Sequence, residues 1–172
     1  MERPPAGPTG PRPWLDDAWL PTLVVVAGYA LILFVTLRAF DFNPSGPIRV
    51  GDFLPADRFW TPELKREHGV GYDGQWFFYI AHDPMLRAPD PETFLDLPAY
   101  RYARILYPTL AWMLALGQPA GLPWSLLAVN LLGVIGGTLA CIDLMRQLGA
   151  NRWLALAYAF SPPVLIGFTA DL

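Results

Sequence analysis

The residues with the clearest chemical potential lie in the stretch GYDGQWFFYIAHDP, residues 71–84, where an acid precedes a block of aromatic side chains. Asp73 and Gln75 stand at the start of a predicted short helix. Asp73 suits the N-cap of that helix, where a carboxylate accepts backbone N–H bonds. The same carboxylate can serve as a general base that deprotonates a hydroxyl acceptor, or help to hold a divalent cation. The sequence leaves both interpretations of Asp73 open.

A second group of chemically capable residues lies in YRYARILYP, residues 100–108. Arg101 and Arg104 are three positions apart, so they share a face if this stretch is helical. Their guanidinium groups match the oxygens of a phosphate and predict a clamp for a lipid phosphate. Arginines that snorkel from the end of an apolar helix would produce the same pattern. Residue type alone does not choose between these two interpretations.

The aromatic block after Asp73 indicates an amphipathic helix. Trp76, Phe77 and Ile80 fall on neighbouring helix faces, which predicts that they dip into the headgroup zone of a membrane. His68 and His82 do not have the helical spacing of zinc ligands, so the sequence predicts no metal site of that kind. No cofactor is predicted beyond the divalent cation that Asp73 would help to hold.

Composition places these residues in a membrane protein. Hydrophobic residues make up 53% of the chain and charged residues 16%, against about 25% in an average soluble domain. The net charge of −3 gives no basic surface for nucleic acid. The single cysteine, Cys141, excludes a disulfide within the chain and a cysteine metal cluster.

Three uncharged windows predict the membrane helices, since a span needs about 20 apolar residues. We expect an all-α integral membrane protein with three transmembrane helices, or four if residues 105–116 also cross. The predicted parts are a flexible cytoplasmic tail, a first span, an extracytoplasmic loop with juxtamembrane amphipathic helices, an interfacial helix with its turn, and two further spans. In chain order these are residues 1–17, 18–38, 39–104, 105–123, 124–145 and 153–170.

The basic residues favour three spans over four. Arg3 and Arg12 precede the first span, and Arg146 and Arg152 lie between the last two. The turn at residues 117–123 carries no basic residue. With three spans both basic flanks are cytoplasmic, as the positive-inside rule requires.

This order of parts resembles the N-terminal region of the C-type glycosyltransferase superfamily, over roughly residues 45–172. The chain is most similar to bacterial membrane proteins in which a GYDGQ-aromatic loop is followed by RY-x-RI-x-x-P. These are grouped with polyprenyl-phosphate-dependent mannosyltransferases and cell-surface glycopolymer proteins. Mannosyltransferases of the glycosylphosphatidylinositol pathway have a similar stretch, which here reads Arg101-Tyr102 and then Pro108 to Trp112.

The resemblance implies a hexosyltransferase of mannosyltransferase type in the bacterial cytoplasmic membrane. It would transfer a sugar from a polyprenyl-phosphate donor to a cell-surface acceptor on the outer face. By position Asp73 would be the catalytic acid, and Gln75, Arg101, Tyr102 and Arg104 would bind substrate. Many members carry two acids separated by one residue, whereas Asp73 has no such partner.

Length leaves the activity of this chain open. Members of the superfamily have more spans than the three or four predicted here, so we expect a truncated N-terminal part whose activity in isolation is uncertain. Two other classes are compatible with the sequence, a non-catalytic membrane subunit and a fragment of a transporter. A transporter more often carries polar or charged residues near the middle of the membrane.

Overall fold

The structure is a computed structural model that describes residues 14–52, 59 and 64–169, and it is mostly helical. Two helices dominate it, α1 (Trp14–Ala39) and α5 (Leu122–Gln147). Their apolar stretches, Ala18–Ala39 and Pro119–Gln147, contain 22 and 29 residues, and the most apolar 18-residue window in each has a mean hydropathy of 2.3 and 2.0, respectively. At about 1.5 Å per residue, the shorter stretch is about 33 Å long, against a hydrocarbon core of about 30 Å. Both helices are therefore long and apolar enough to cross a membrane.

Helices α1 and α5 pack side by side in opposite directions. Leu37, near the end of α1, packs against Leu127, near the start of α5. Ala18, near the start of α1, packs against Ile142, near the end of α5. The chain consequently leaves α1 and returns to α5 at the same end of the pair. The described residues between positions 40 and 121, which we call the head, lie at that end. The predicted tail, residues 1–17, lies largely outside the described residues.

The head contains short elements around a hydrophobic core of its own. Strands β1 (Val50–Gly51) and β2 (Arg66–Glu67) pair in parallel. Three helices follow, α2 (Gly74–His82), α3 (Pro98–Tyr102) and α4 (Leu106–Leu114). One cluster of buried side chains joins these elements to the start of α5: Ile48, Val50, Phe59, Leu64, Trp76, Phe78, Tyr79, Ile80, Phe94, Leu95, Ala111 and Leu126.

The prediction that the aromatic block dips into the headgroup zone is wrong for Trp76 and Ile80. Both side chains are buried within the protein. Neighbouring Tyr79 is also buried, with the Phe59 ring stacked 5.4 Å away. Helix α2 is covered because the chain folds back over it before and after the helix. Its apolar residues therefore form the centre of the head instead of an anchor in lipid.

Helix α4 occupies part of the predicted interfacial segment, residues 105–123. Its nine residues extend about 14 Å, too short to cross a hydrocarbon core. Pro108 and Ala111 are buried, whereas Leu106 and Met113 are exposed. The helix thus presents one apolar side to the protein and another to its surroundings.

The predicted third span, residues 153–170, does not form one continuous helix. It contains a 3-10 turn (Arg152–Leu154), α6 (Ala155–Ala159) and α7 (Pro162–Thr169). The interruption falls at the Ser161-Pro162-Pro163 sequence. Proline lacks a backbone N–H and disfavours helical geometry in the residue before it. The segment packs along both long helices, with the Tyr29 hydroxyl donating to the Ala159 carbonyl and Asn130 Nδ2 donating to the Gly167 carbonyl.

Candidate functional site

Asp73 stands immediately before α2, but its carboxylate does not cap that helix. Its backbone is already helical, with φ −62° and ψ −25°, and its side chain makes no capping hydrogen bond. Oδ1 instead accepts a hydrogen bond from Arg101 Nη1 at 2.9 Å, and Oδ2 accepts one from Arg104 Nη1 at 3.4 Å. The predicted capping bond is therefore wrong. The physical reason is that a hydrogen bond to a guanidinium group is stronger than one to a neutral backbone N–H.

Arg101 is the most firmly held side chain of this group. Its Nε and Nη2 donate to the two carboxylate oxygens of Asp96, each at 2.8 Å. Its guanidinium carbon also lies 4.7 Å from the centre of the Trp76 ring, and its side chain is only 14% exposed. The paired hydrogen bonds from Arg101 hold the pKa of Asp96 below its ordinary value. Arg101 therefore joins α3 to the beginning of α2.

Arg104 is held less tightly than Arg101. Its side chain is 48% exposed, and its contact with Asp73 is the long one. Its Nη2 donates to the hydroxyl of Tyr100. A guanidinium group with one long carboxylate contact and wide exposure can turn to an incoming anion at little cost, since exposed ion pairs stabilise a protein weakly.

Gln75 does not lie with these residues, although the sequence predicts it as a substrate ligand. Its side chain is 4% exposed. Its Oε1 accepts a hydrogen bond from Gly51 N at 3.1 Å, and its Nε2 donates to the Val70 carbonyl at 2.7 Å. Both ends of the amide are thus used to hold β1 and the loop before α2. Gln75 therefore stabilises the head by joining these two segments.

Tyr102 is also turned away from Asp73. Its hydroxyl donates to the carbonyl of Asp83, at the end of α2, at 2.6 Å. Burial raises the pKa of Tyr102 to about 12, so the hydroxyl remains a neutral donor at neutral pH. Arg101 and Tyr102 therefore hold opposite ends of α2. Of the five predicted site residues, the structure brings together Asp73, Arg101 and Arg104.

Two residues of the cluster were missed by the sequence interpretation, Asp96 and Tyr100. The signal for Asp96 was its position five residues before Arg101, just ahead of a helix that begins with Pro98. Tyr100 precedes Arg104 by four positions, a spacing at which two helical side chains meet. Tyr100 opens the stretch YRYARILYP, and Asp96 precedes that stretch by four residues, but neither residue belongs to a distinctive motif.

The cluster is electrically balanced and partly open. Asp73 and Asp96 offset Arg101 and Arg104, and the Asp73 side chain is 42% exposed. An ionised carboxylate has about four acceptor positions, so two hydrogen bonds leave room for a substrate hydroxyl. Among the described residues, no group of three or more His, Cys, Asp or Glu side chains could hold a metal ion. The geometry suits an uncharged polar group at Asp73 and an anion at Arg104.

Comparison with known proteins yields no match: no protein family, no curated protein and no solved structure shows significant similarity to this chain.

Proposed function

We propose that this chain belongs to a membrane glycosyltransferase system and binds the sugar-phosphate head of a polyprenyl-phosphate donor at the Asp73 cluster. One observation carries the proposal. Arg101 and Arg104 both donate to the partly exposed carboxylate of Asp73, in a head that lies at one end of two helices of membrane-spanning length. A lipid-linked sugar phosphate presents its anionic and hydroxylated groups at the membrane surface, with its chain in the membrane.

Each residue of the cluster has a separate task in this proposal. Arg104 binds the phosphate, because its guanidinium group is half exposed and bound to Asp73 by one long contact. Arg101 keeps Asp73 in place, since its own donors are directed to Asp73 and Asp96. Asp73 accepts the proton of the acceptor hydroxyl as that oxygen attacks the sugar carbon and the donor phosphate leaves.

The topology that fits this function has three spans and an extracytoplasmic head. Arg146 and Arg152 lie at the end of the helix pair opposite the head, which suits the cytoplasmic side. Ala155 packs beside Ala18 and Ile142 at that end, whereas Gly167 is bound by Asn130 nearer the head. The segment containing α6 and α7 therefore runs back toward the head, as a broken third span would.

A second candidate function is that of a non-catalytic membrane subunit, in which the cluster only stabilises the head. The observation that favours it is that all three guanidinium nitrogens of Arg101 donate to carboxylates, two of them to Asp96 and one to Asp73. In that case Asp73 is a structural partner of Arg101. The activity of a complete system that contains this subunit would then not require the Asp73 carboxylate as a base.

The decisive experiment compares Asp73→Asn with Arg104→Gln in the full chain, reconstituted in lipid vesicles with a radiolabelled polyprenyl-phosphate mannose. We expect Asp73→Asn to abolish transfer to a soluble glycan acceptor while donor binding remains. Arg104→Gln should weaken donor binding. Matched controls are Asp90→Asn and Arg87→Gln, which change an acid and an arginine of the head outside the cluster. Two outcomes would favour the non-catalytic subunit. One is transfer that persists in the Asp73→Asn variant, and the other is the absence of transfer by the unaltered chain.

Topology is tested with single cysteines in a Cys141→Ser background. A membrane-impermeant maleimide should label Gln118→Cys on intact cells, because this exposed residue lies at the head end. Ala150→Cys, exposed at the opposite end, should react only after the membrane is permeabilised. The reverse pattern would contradict the proposed orientation.

A further inference from the structure

A cavity of about 610 Å³ lies at the base of the head, away from the Asp73 cluster. Its walls come from the turn after α1, from α2, and from the turn between α4 and α5. The described lining residues are Asn43, Pro44, Ser45, Leu64, Phe78, His82, Gln118, Pro119, Ala120 and Pro123. Its volume falls within the range of about 300–1,000 Å³ that small-molecule sites occupy.

The cavity lies where the long helices meet the head. Asn43 follows the end of α1 by four residues, and Pro119 and Pro123 flank the start of α5. In a protein that crosses a membrane through these two helices, this level is the boundary between lipid and water. Leu116, two residues before the lining residue Gln118, is an apolar side chain that is 85% exposed. An apolar molecule would reach the cavity from the bilayer.

His82 is the one ionisable side chain in the described lining of this cavity, and it also borders a smaller cavity lined by Asp83, Arg87 and Trp112. The ring packs between Phe59 and Phe78, with centroid distances of 4.9 and 4.4 Å. Its Nδ1 lies 2.9 Å from the Phe78 carbonyl, and because a carbonyl can only accept, Nδ1 donates. Burial lowers the pKa of His82 below its ordinary value. The ring is therefore neutral at neutral pH, and Nε2 is the nitrogen that can accept a hydrogen bond from a ligand.

The lining excludes charged ligands. Apart from His82, none of the described lining residues is ionisable, so a phosphate or carboxylate would find no countercharge. A hydroxyl group matches the neutral imidazole, and an aliphatic chain matches the proline, leucine and phenylalanine side chains. Phe78, the first residue of α2 in the cavity wall, follows Asp73 by five residues, about 7.5 Å along the helix axis.

We propose that this cavity binds an uncharged lipid, a long-chain alcohol whose hydroxyl donates to His82 Nε2 and whose chain extends along the apolar walls toward the bilayer. This site is separate from the donor site proposed at Asp73 and does not depend on it. Asp73→Asn should leave lipid binding at the cavity unchanged, so the two proposals can fail independently.

The test uses the full chain in phosphatidylcholine nanodiscs with a hexadecanol probe that carries a diazirine in its chain. We expect photolabelling at residues 43–45 and 118–123, mapped by mass spectrometry, and competition by unlabelled hexadecanol. The methyl ether of the same probe, which cannot donate a hydrogen bond, should label about fivefold less, the effect of one net hydrogen bond of about 1 kcal/mol. His82→Phe preserves an aromatic ring beside Phe59 and Phe78 and should abolish the difference between alcohol and ether.

A filling variant and its matched control complete the test. Ala120→Trp should block the cavity and reduce labelling by both probes, whereas Leu116→Trp adds the same ring outside it and should not. Competition in the unaltered chain remains informative if a variant fails to fold. Equal labelling by alcohol and ether, no competition by hexadecanol, or equal labelling by a short-chain alcohol probe would each overturn the proposal.

Discussion

Arg101 Nη1 lies 2.9 Å from Asp73 Oδ1, although the two residues are 28 positions apart in the chain. This contact fixes the segment around α3 against the start of α2 and places Arg104 beside the same carboxylate. Arg101 is held on three sides and largely buried, whereas Arg104 remains half exposed. The two arginines of one short motif therefore have different physical roles.

Alanine substitution should separate those two roles. Arg101→Ala removes three charge-assisted hydrogen bonds and the contact with Trp76, and should lower the free energy of unfolding by about 2 kcal/mol or more. Arg104→Ala removes an exposed and long contact and should cost less than about 1 kcal/mol. Thermal unfolding of both variants in the same mild detergent measures the difference. Equal losses would show that the exposure of the two side chains does not determine their contributions.

Gln75→Leu should destabilise the head because it removes both hydrogen bonds of a buried amide. Gly51 N and the Val70 carbonyl would lose their partner, at an expected cost of about 1–3 kcal/mol for each group left unsatisfied. The thermal unfolding midpoint is the measurement, with Gln118→Leu as the matched control on an exposed glutamine. An unchanged midpoint together with lost donor binding would instead restore Gln75 as a substrate ligand.

Gly71→Ala should be among the most harmful small substitutions in the head. Gly71 has φ +70°, and a Cβ there would lie 2.5 Å from Gly51 N and 2.7 Å from the Arg49 carbonyl oxygen. These backbone atoms cannot move without separating β1 from the loop before α2, so we expect a loss of more than about 2 kcal/mol. Gly136→Ala, in a helix with open space around it, should be neutral or slightly stabilising. Similar unfolding midpoints for the two variants would contradict the close approach at Gly71.

His82 should make stability depend on pH in the mildly acidic range. Because burial lowers its pKa in the folded protein, the unfolded chain binds the proton first as the pH falls. The contribution of the neutral His82 ring to the free energy of unfolding is therefore complete above the ordinary histidine pKa of about 6.5. It is lost as the pH falls through the lowered pKa of the folded protein. Unfolding midpoints measured from pH 7.5 to pH 5 should fall less steeply in His82→Phe. The neighbouring ionisable residues Asp83 and Arg87 are retained in both proteins. If the unfolding midpoint depends on pH equally steeply in His82→Phe, the pH dependence belongs to groups other than His82.

Local sequence patterns predicted the coarse architecture because their causes are local. Windows without charged residues indicated the two long apolar helices, and the Ser161-Pro162-Pro163 sequence accounts for the interruption that separates α6 from α7. Proline acts on its own backbone and on the residue before it, so no knowledge of the remaining fold was needed. The third membrane span remains a proposal, because the segment consists of short helices.

The environment of α2 could not be predicted in the same way. An aromatic block with an acid at its start is compatible with a capped helix in the headgroup zone and with a helix at the centre of a domain. Trp76 and Ile80 are buried because distant residues, among them Phe59 and Phe94, return to cover them. Such coverage depends on the path of the chain, which periodicity does not encode.

The sequence by itself determined which segments are apolar enough to cross a membrane and which polar side chains were available for chemistry. Only the tertiary structure decided that Asp73 faces Arg101 and Arg104, that Gln75 and Tyr102 hold the head together, and that His82 borders a cavity. The physical reason is range: helix length and breaks follow from neighbouring residues, whereas a carboxylate's partner is selected by the folding of segments that lie far apart in the chain.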